Sequence, residues 1–132
     1  MSLVYLDSSA LVKLVVREPE SAALLNFLRE HGERASSTLA LTEVPRALRR
    51  AGFGRVERRR ARAVLSGVAL VDADRRILSA AAALEPPTLR TLDAIHLATA
   101  LTLGEELAAL VTYDRRLTEA AGRTHVEVLA PA

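Results

Sequence analysis

Residues 3–14, LVYLDSSALVKL, predict a strand, a turn and the start of a helix. The short apolar run Leu3–Leu6 is typical of a strand that is buried in a sheet. Asp7 ends this run, and Ser8 or Ser9 can cap the helix that begins with ALVKL. A carboxylate directly after a buried strand points out of the edge of the core. The stretch therefore predicts the first strand–helix unit of an α/β fold, with an acid at its turn.

Short apolar runs alternate with helix-forming segments along the rest of the chain. The further predicted strands are residues 34–37, 68–71, 107–112 and 125–129, and the further predicted helices are residues 19–31, 38–50, 54–66, 73–84, 92–103 and a short segment ending at Gly122. This alternation predicts an α/β fold with a mainly parallel sheet. Pro45 removes one backbone hydrogen bond from the segment 38–50, so we expect that helix to kink or restart near Thr42.

The chain has 132 residues, half of them apolar, which predicts one domain over residues 1–132 with a packed core. It has no cysteine, which excludes disulfides, zinc fingers and thiol nucleophiles. Aromatic residues make up only 3%, so there is little material for stacking nucleic-acid bases. The N-terminus lacks the basic region of a signal peptide, and no apolar run reaches the ~20 residues that span a bilayer. We therefore expect a cytoplasmic protein with no membrane partner.

Four acids stand at the predicted boundaries between elements. They are Asp7, Glu43 in LTEVPRALRR, Asp93 in LRTLDAIHLATA and Asp114 in ALVTYDRRL. Taken singly, Asp7, Asp93 and Asp114 could each cap a helix or serve its dipole. Asp7 and Asp114 both follow a predicted strand, and parallel sheets place their sites at the carboxyl ends of the strands. Glu43 has apolar neighbours, and a half-buried carboxylate needs a partner or a cation.

Carboxylates that meet in one place raise each other's pKa values and destabilise the fold unless a cation neutralises them. An all-oxygen set without cysteine suits Mg²⁺ or Mn²⁺, which activate water and neutralise the developing charge of a phosphodiester. The hydroxyls of Ser8, Ser9 and Thr112 stand next to these acids and are suited to orienting them. If the fold brings the four acids together, they predict a site for one or two divalent cations.

The basic residues are unevenly distributed, although the formal net charge is only +2. Seventeen of the eighteen are arginine, and eight of these lie between Arg46 and Arg62. The planar guanidinium group suits phosphate and carboxylate groups. The tract could follow the phosphates of a nucleic acid, dock an acidic partner, or form a solvated helix face. Composition alone leaves these alternatives open.

The segments LVYLDSSALVKL, LTEVPRALRR, LRTLDAIHLATAL and LVTYDRRL together resemble the PIN-domain family, most closely its VapC-type toxin branch. The resemblance keeps the family's order over essentially the whole chain, and it implies a three-layer α/β/α sandwich and a metal-dependent endoribonuclease. It also implies that the catalytic, metal-binding acids are Asp7, Glu43, Asp93 and Asp114. Ser8 and Thr112 would be their hydroxyl neighbours. The histidine at His96 is, by the same resemblance, more often a packing and hydrogen-bonding residue than a catalytic one.

The resemblance further implies an RNA substrate, a homodimer, and a small antitoxin whose tail lies in the active-site groove. Cleavage would leave a 3′-hydroxyl and a 5′-phosphate. Two alternatives stay open: a housekeeping PIN nuclease that has no antitoxin, and a catalytically degenerate PIN domain that serves only for binding.

Two other α/β proteins that handle phosphate are disfavoured by single positions. An aspartyl-phosphate phosphohydrolase needs a second acid two residues after the first, and this chain has Ser9 there. A receiver domain needs a lysine after a late strand, whereas the one lysine of this chain is Lys13.

Overall fold

The computed structural model describes residues 2–132, which alternate between strands and helices. The strands are β1 Leu3–Leu6, β2 Glu33–Ser37, β3 Ala69–Val71, β4 Leu107–Val111 and β5 Val128–Leu129. The helices are α1 Ser8–Val15, α2 Ser21–Glu30, α3 Ala40–Arg50, α4 Arg55–Ser66, α5 Arg75–Ala82, α6 Thr91–Leu101 and α7 Arg115–Ala121, with a 3₁₀ turn at Gly104–Glu106. Each predicted strand and helix is present, with bounds that lie within a few residues of the predicted ones. Within residues 2–132, no helix is long and apolar enough to cross a membrane.

All neighbouring strands of the sheet run parallel, in the order β3-β2-β1-β4-β5. From β1 the chain moves outward through β2 and β3, then returns to the other side of β1 with β4 and β5. Because the winding reverses between β1 and β4, a crevice opens outside the carboxyl ends of these two strands. The Asp7 N–H donates to the Val111 carbonyl over 3.3 Å and joins the two ends. The residues that follow β1 and β4 therefore meet at one edge of the sheet.

Alternate side chains of β1 face opposite helix layers, as the pleat of a strand requires. Val4 and Leu6 are fully buried in a cluster with residues of α1, α3 and α4. Tyr5 points to the other side, where it packs with Leu97 of α6 and Leu117 of α7. The sheet thus lies between two layers of helices, which confirms the expected three-layer α/β/α sandwich.

Of the two alternatives for the cap of α1, Asp7 is confirmed, and Ser8 or Ser9 is wrong. The Asp7 carboxylate accepts a hydrogen bond from the Ala10 N–H over 3.0 Å. The Ser9 hydroxyl donates to the same carboxylate over 2.6 Å, so it does not cap the helix itself. The physical reason is that an ionised carboxylate is a stronger acceptor for these N–H groups than a hydroxyl. The cap therefore fixes the first acid of the predicted site.

Helix α3 is one continuous helix, so the restart expected near Thr42 does not occur. Pro45 lies in the second turn, and the only carbonyl that loses its helical partner is that of Leu41. Leu41 is exposed, so water can bond to that carbonyl. Val44 and Leu48 lie three and seven residues further along the same stripe of the helix, where they are buried and hold it against the core. Glu43, at the start of this helix, therefore keeps a defined direction in spite of the proline.

Leu48 and Leu41 offer a test of how burial along α3 stabilises the fold. Leu48 is 1% exposed and Leu41 is 54% exposed. We expect Leu48→Ala to lower the free energy of unfolding by roughly 2–5 kcal/mol, because it opens a cavity in the core. Leu41→Ala, the matched control on the same helix, should change it by less than about 0.5 kcal/mol. Urea denaturation measures both, and equal losses would contradict this packing.

Candidate active site

The structure brings the four predicted acids to the wall of one cavity of about 770 Å³ outside the ends of β1 and β4. Each acid comes from the start of a different helix. Asp7 and Asp114 are the N-caps of α1 and α7, whereas Glu43 and Asp93 lie in the first turns of α3 and α6. The start of a helix carries partial positive charge, which favours a carboxylate there. Four helix starts that converge on one crevice therefore make it possible to gather four acids.

Asp7 is the most deeply buried of the four acids, with 3% of its surface exposed. Burial raises the pKa of Asp7, although hydrogen bonds from Ser9, Thr112 and the Ala10 N–H work in the opposite direction. No arginine or lysine among residues 2–132 pairs with it. The ionised form of Asp7 is thus favoured by neutral donors and by the charge of His96, without an ion pair to arginine or lysine, and a nearby cation would favour it further.

Thr112 links the first acid to the fourth. Its buried hydroxyl donates to Asp7 Oδ2 and accepts from the Asp114 N–H over 3.0 Å. Ser9 makes a parallel link, since its hydroxyl donates to Asp7 and accepts from the Tyr113 N–H over 3.0 Å. The turns that follow β1 and β4 are therefore fixed to each other through the side chains around Asp7.

Glu43 belongs to a chain of hydrogen bonds that runs into the core. Its Oε1 accepts from the Ser8 hydroxyl over 2.6 Å and lies 2.6 Å from His96 Nε2. The other ring nitrogen of His96 lies 2.7 Å from the hydroxyl oxygen of buried Tyr5. An ionised carboxylate can only accept, so Nε2 carries a hydrogen and, in the neutral ring, Nδ1 accepts from Tyr5.

The pKa of Glu43 shows the effect of these partners. Burial acts to raise it, but the hydrogen bonds from His96 and Ser8, with the charges of His96 and Arg90, outweigh burial and hold it below its usual value. His96 is itself buried, and both of its ring nitrogens are engaged. It therefore positions Glu43, in agreement with the packing and hydrogen-bonding part expected for it.

Asp93 and Asp114 share one arginine. Arg90 Nε donates to Asp93 Oδ2 over 2.9 Å, and Arg90 Nη2 donates to Asp114 Oδ2 over 2.7 Å. The hydrogen bond with Asp93, followed by the charges of both acids, raises the pKa of Arg90. Asp114 Oδ1 is occupied separately, because it caps α7 through the N–H groups of Arg116 and Leu117. The guanidinium group thus supplies positive charge to the two acids that have no hydroxyl or imidazole donor.

The donor set around the cavity fits a hard divalent cation. It offers carboxylate oxygens from four acids, and the chain has no cysteine that would favour a softer metal. As arranged, no three His, Cys, Asp or Glu side chains within residues 2–132 are close enough together to share an ion. Instead, the guanidinium group of Arg90 lies between two of the acids. The site requires positive charge, and Mg²⁺ or Mn²⁺ could supply it if the acids drew closer.

Sequence reasoning placed all four acids and the hydroxyls of Ser8 and Thr112 at this site, although it did not establish what they do. It missed Arg90 and Tyr5. Arg90 stands three residues before Asp93, and that helical spacing signals an ion pair. Tyr5 carries a weaker signal, since only the alternation within β1 separates its direction from that of Val4.

Two further arginines belong to the polar wall of the cavity. Arg46 and Arg50 of α3 line the cavity together with Glu43 and Arg90. They follow Glu43 at intervals of three and four residues, so they lie on its face of the helix. The arginines of α4 do not line this cavity, and one of them, Arg60, donates instead to the Val15 carbonyl over 3.1 Å. The arginine tract therefore divides into two residues beside the acids and a larger group elsewhere.

Comparison with known proteins agrees with this architecture. The sequence model of the PIN domain matches residues 4–123. The chain therefore belongs to the PIN-domain family. Ribonuclease VapC46 of Mycobacterium tuberculosis is 50% identical over 132 residues, the full length of both chains. Ribonuclease VapC35 of the same species is 46% identical over 136 residues, which cover 98% of this chain and 97% of the relative. Within the family, the chain belongs to the VapC-type branch.

Solved structures support the same fold. The crystal structure of VapC20 from Mycobacterium tuberculosis, described as a sarcin-ricin loop cleaving toxin, matches with a TM-score of 0.72 at 15% identity and covers 89% of this chain and 94% of its own. VapBC2 from Rickettsia felis, solved with a DNA fragment from the promoter, matches with a TM-score of 0.74 at 14% identity. That match covers 98% of this chain and 99% of the other. At such low identity the agreement concerns the fold.

The raised pKa of Asp7 predicts how stability depends on pH. Between the ordinary value of 3.8 and the higher value in the folded protein, the folded state binds more protons than the unfolded state. Stability should therefore fall as pH rises through this window. Asp7→Asn removes this titration. In metal-free buffer, the melting temperature of the variant minus that of the wild type should therefore increase from about pH 4 to pH 8.

The matched control is Asp74→Asn, because Asp74 also caps a helix, through the Ile77 N–H at 3.0 Å, but is exposed. Its melting temperature should follow that of the wild type across the same pH range. A constant difference between Asp7→Asn and the wild type would contradict the expected effect of burial.

Proposed function

We propose that this chain is a metal-dependent endoribonuclease that hydrolyses RNA phosphodiester bonds and acts as the toxin of a VapBC-type toxin–antitoxin pair. The observation that carries the proposal is the convergence of four carboxylates on one cavity at the switch point of the sheet. Its full-length relatives are ribonucleases by name, and the chain shares the VapC-type fold. The expected place of action is the cytoplasm, where the RNA substrate is found.

Asp7, Glu43, Asp93 and Asp114 would hold Mg²⁺ or Mn²⁺. When bound, such an ion supplies an activated water and neutralises charge on the phosphodiester. The protein orients the carboxylate ligands. Thr112 and Ser9 fix the Asp7 carboxylate. Side chains that orient a ligand in this way commonly change metal affinity or activity by about 10–100-fold when they are lost.

The carboxylate of Glu43 is oriented by other partners, the buried ring of His96 and the hydroxyl of Ser8. These bonds keep its pKa low, so Glu43 stays ionised and is ready to act as an anionic ligand. Tyr5 fixes the other side of the ring. The hydrogen-bond chain thus ties one ligand of the site to the core of the sandwich.

The RNA substrate carries negative charge into a cavity that is already acidic. Arg46 and Arg50 line the same cavity and lie on the face of α3 that carries Glu43. Both are exposed, and neither pairs with an acid among the described residues. We propose that they bind the phosphates next to the scissile bond. For these two residues, this is the nucleic-acid interpretation of the arginine tract.

The proposed partners are an antitoxin and a second copy of the chain. The solved structure of VapBC2 from Rickettsia felis is named for both the antitoxin and the toxin of its pair. The present chain has the same fold as the chain that it matches in that structure. A homodimer remains part of the proposal on family grounds. The competing proposal is a PIN nuclease without an antitoxin, and co-purification of a small partner encoded beside the chain would distinguish the two.

Asp7→Asn tests the catalytic proposal. We expect cleavage of single-stranded RNA in Mg²⁺ or Mn²⁺ to fall at least about 100-fold, because the substitution removes an anionic ligand of the metal. Wild-type protein should also gain melting temperature on addition of Mn²⁺, and Asp7→Asn should gain less.

Asp74→Asn again serves as the control and should cleave at the wild-type rate. Cleavage that persists unchanged in Asp7→Asn would refute the assignment. Absence of cleavage in the wild type, with a folded protein and several RNA substrates, would favour the catalytically degenerate binding module instead.

The salt dependence of RNA binding tests the two arginines. In an Asp7→Asn background, Arg46→Ala with Arg50→Ala should reduce the slope of log affinity against log salt concentration by about 1.4, or roughly 0.7 for each phosphate contact. The control pair Arg59→Ala with Arg62→Ala removes two exposed arginines of α4 that do not line the cavity. Equal slopes for the two double variants would instead favour partner docking or a solvated face.

A further inference from the structure

Arg90 occupies an unusual position for a positively charged residue in a proposed cation site. Its guanidinium group donates to Asp93 Oδ2 over 2.9 Å and to Asp114 Oδ2 over 2.7 Å. The two carboxylate side chains are only 13% and 27% exposed, whereas the side chain of Arg90 is 56% exposed. The arginine therefore reaches into the site from the surface.

The two acids depend on Arg90 more than the other two acids of the cavity do. Among the described residues, Arg90 is the only hydrogen-bond donor to the Asp93 carboxylate. At Asp114, the cap of α7 uses Oδ1 and leaves Oδ2 to Arg90. Without Arg90 or another positive charge, Asp93 would be a largely buried carboxylate with no partner, which is costly.

At Asp114, the oxygen that accepts from Arg90 is the one that a metal would need. Asp114 has only Oδ2 free of its cap, and Asp93 Oδ2 faces the same guanidinium group. An oxygen cannot direct the same lone pairs to an arginine and to a cation. A guanidinium group and a divalent ion at this position are therefore alternatives.

We propose that Arg90 is an internal counter-ion that neutralises Asp93 and Asp114 in the metal-free protein and is displaced when the divalent cation binds. This inference rests on the proposed metal-dependent function. It makes Arg90 a positioning residue that sets metal affinity: it lowers that affinity and stabilises the protein without metal. Displacement needs no repacking of the core, because Arg90 is the N-cap of α6, makes no side-chain cap and is more than half exposed.

The test measures Mn²⁺ affinity by titration calorimetry and melting temperature in the absence and presence of Mn²⁺. Arg90→Ala should bind Mn²⁺ about tenfold more tightly than the wild type, since two partly exposed ion pairs no longer compete. Its melting temperature without metal should be lower than that of the wild type, and saturating Mn²⁺ should abolish the deficit. Arg90→Gln should behave in the same way, whereas Arg90→Lys should be intermediate because it cannot bridge both acids.

Arg46→Ala is the matched control, because Arg46 lines the same cavity but pairs with no acid among the described residues. It separates the loss of a bridging contact from the loss of a nearby charge, and its Mn²⁺ affinity should change by less than about twofold. Equal affinities for Arg90→Ala and Arg46→Ala, or weaker binding by Arg90→Ala, would overturn the inference and leave the proposed function intact. Failure of the wild type and of every Arg90 variant to bind Mn²⁺ would overturn both.

Discussion

Repulsion between four carboxylates is the constraint on which the rest of this site depends. The fold directs them to one cavity from the starts of four helices, where the local backbone favours negative charge. That effect is modest, so each acid has further partners. Asp7 has hydroxyls, Glu43 has an imidazole, and Asp93 and Asp114 share a guanidinium group. The metal-free structure therefore accommodates four carboxylates in one cavity, and it does so with three different kinds of partner.

The partners of the acids also join the layers of the sandwich. Thr112 connects the turn after β4 to the acid that follows β1. His96 connects α6 to Glu43 of α3 on one side and to Tyr5 of the sheet on the other. Because these contacts cross from element to element, a change in the packing of either helix layer shifts an acid. The geometry of the site and the stability of the core are physically coupled here.

The order of strands and helices could be predicted from the sequence because short apolar runs and helix caps are local signals. Each of the four acids could be predicted as a candidate because it stands at an element boundary, and the resemblance to the PIN-domain family joined them into one set. The cap of α1 was left open, since sequence alone does not decide between Asp7 and the serines that follow. The effect of Pro45 was overestimated, because exposure of the Leu41 carbonyl depends on packing. Arg90 was missed because its two partners belong to α6 and α7, and only the tertiary fold brings the second one near.

The arrangement of arginines explains how an acidic cavity could accept a polyanion. RNA approaching four carboxylates meets repulsion that falls only if positive charge is present both at the acids and at the rim. Arg46 and Arg50 are at the rim, whereas Arg90 is at the acids. A guanidinium group neutralises carboxylates but activates no water, while a divalent cation does both. Under the proposed function, exchange of Arg90 for the metal therefore converts a site that is merely neutralised into one that is chemically competent, and the rim arginines serve the substrate in either state.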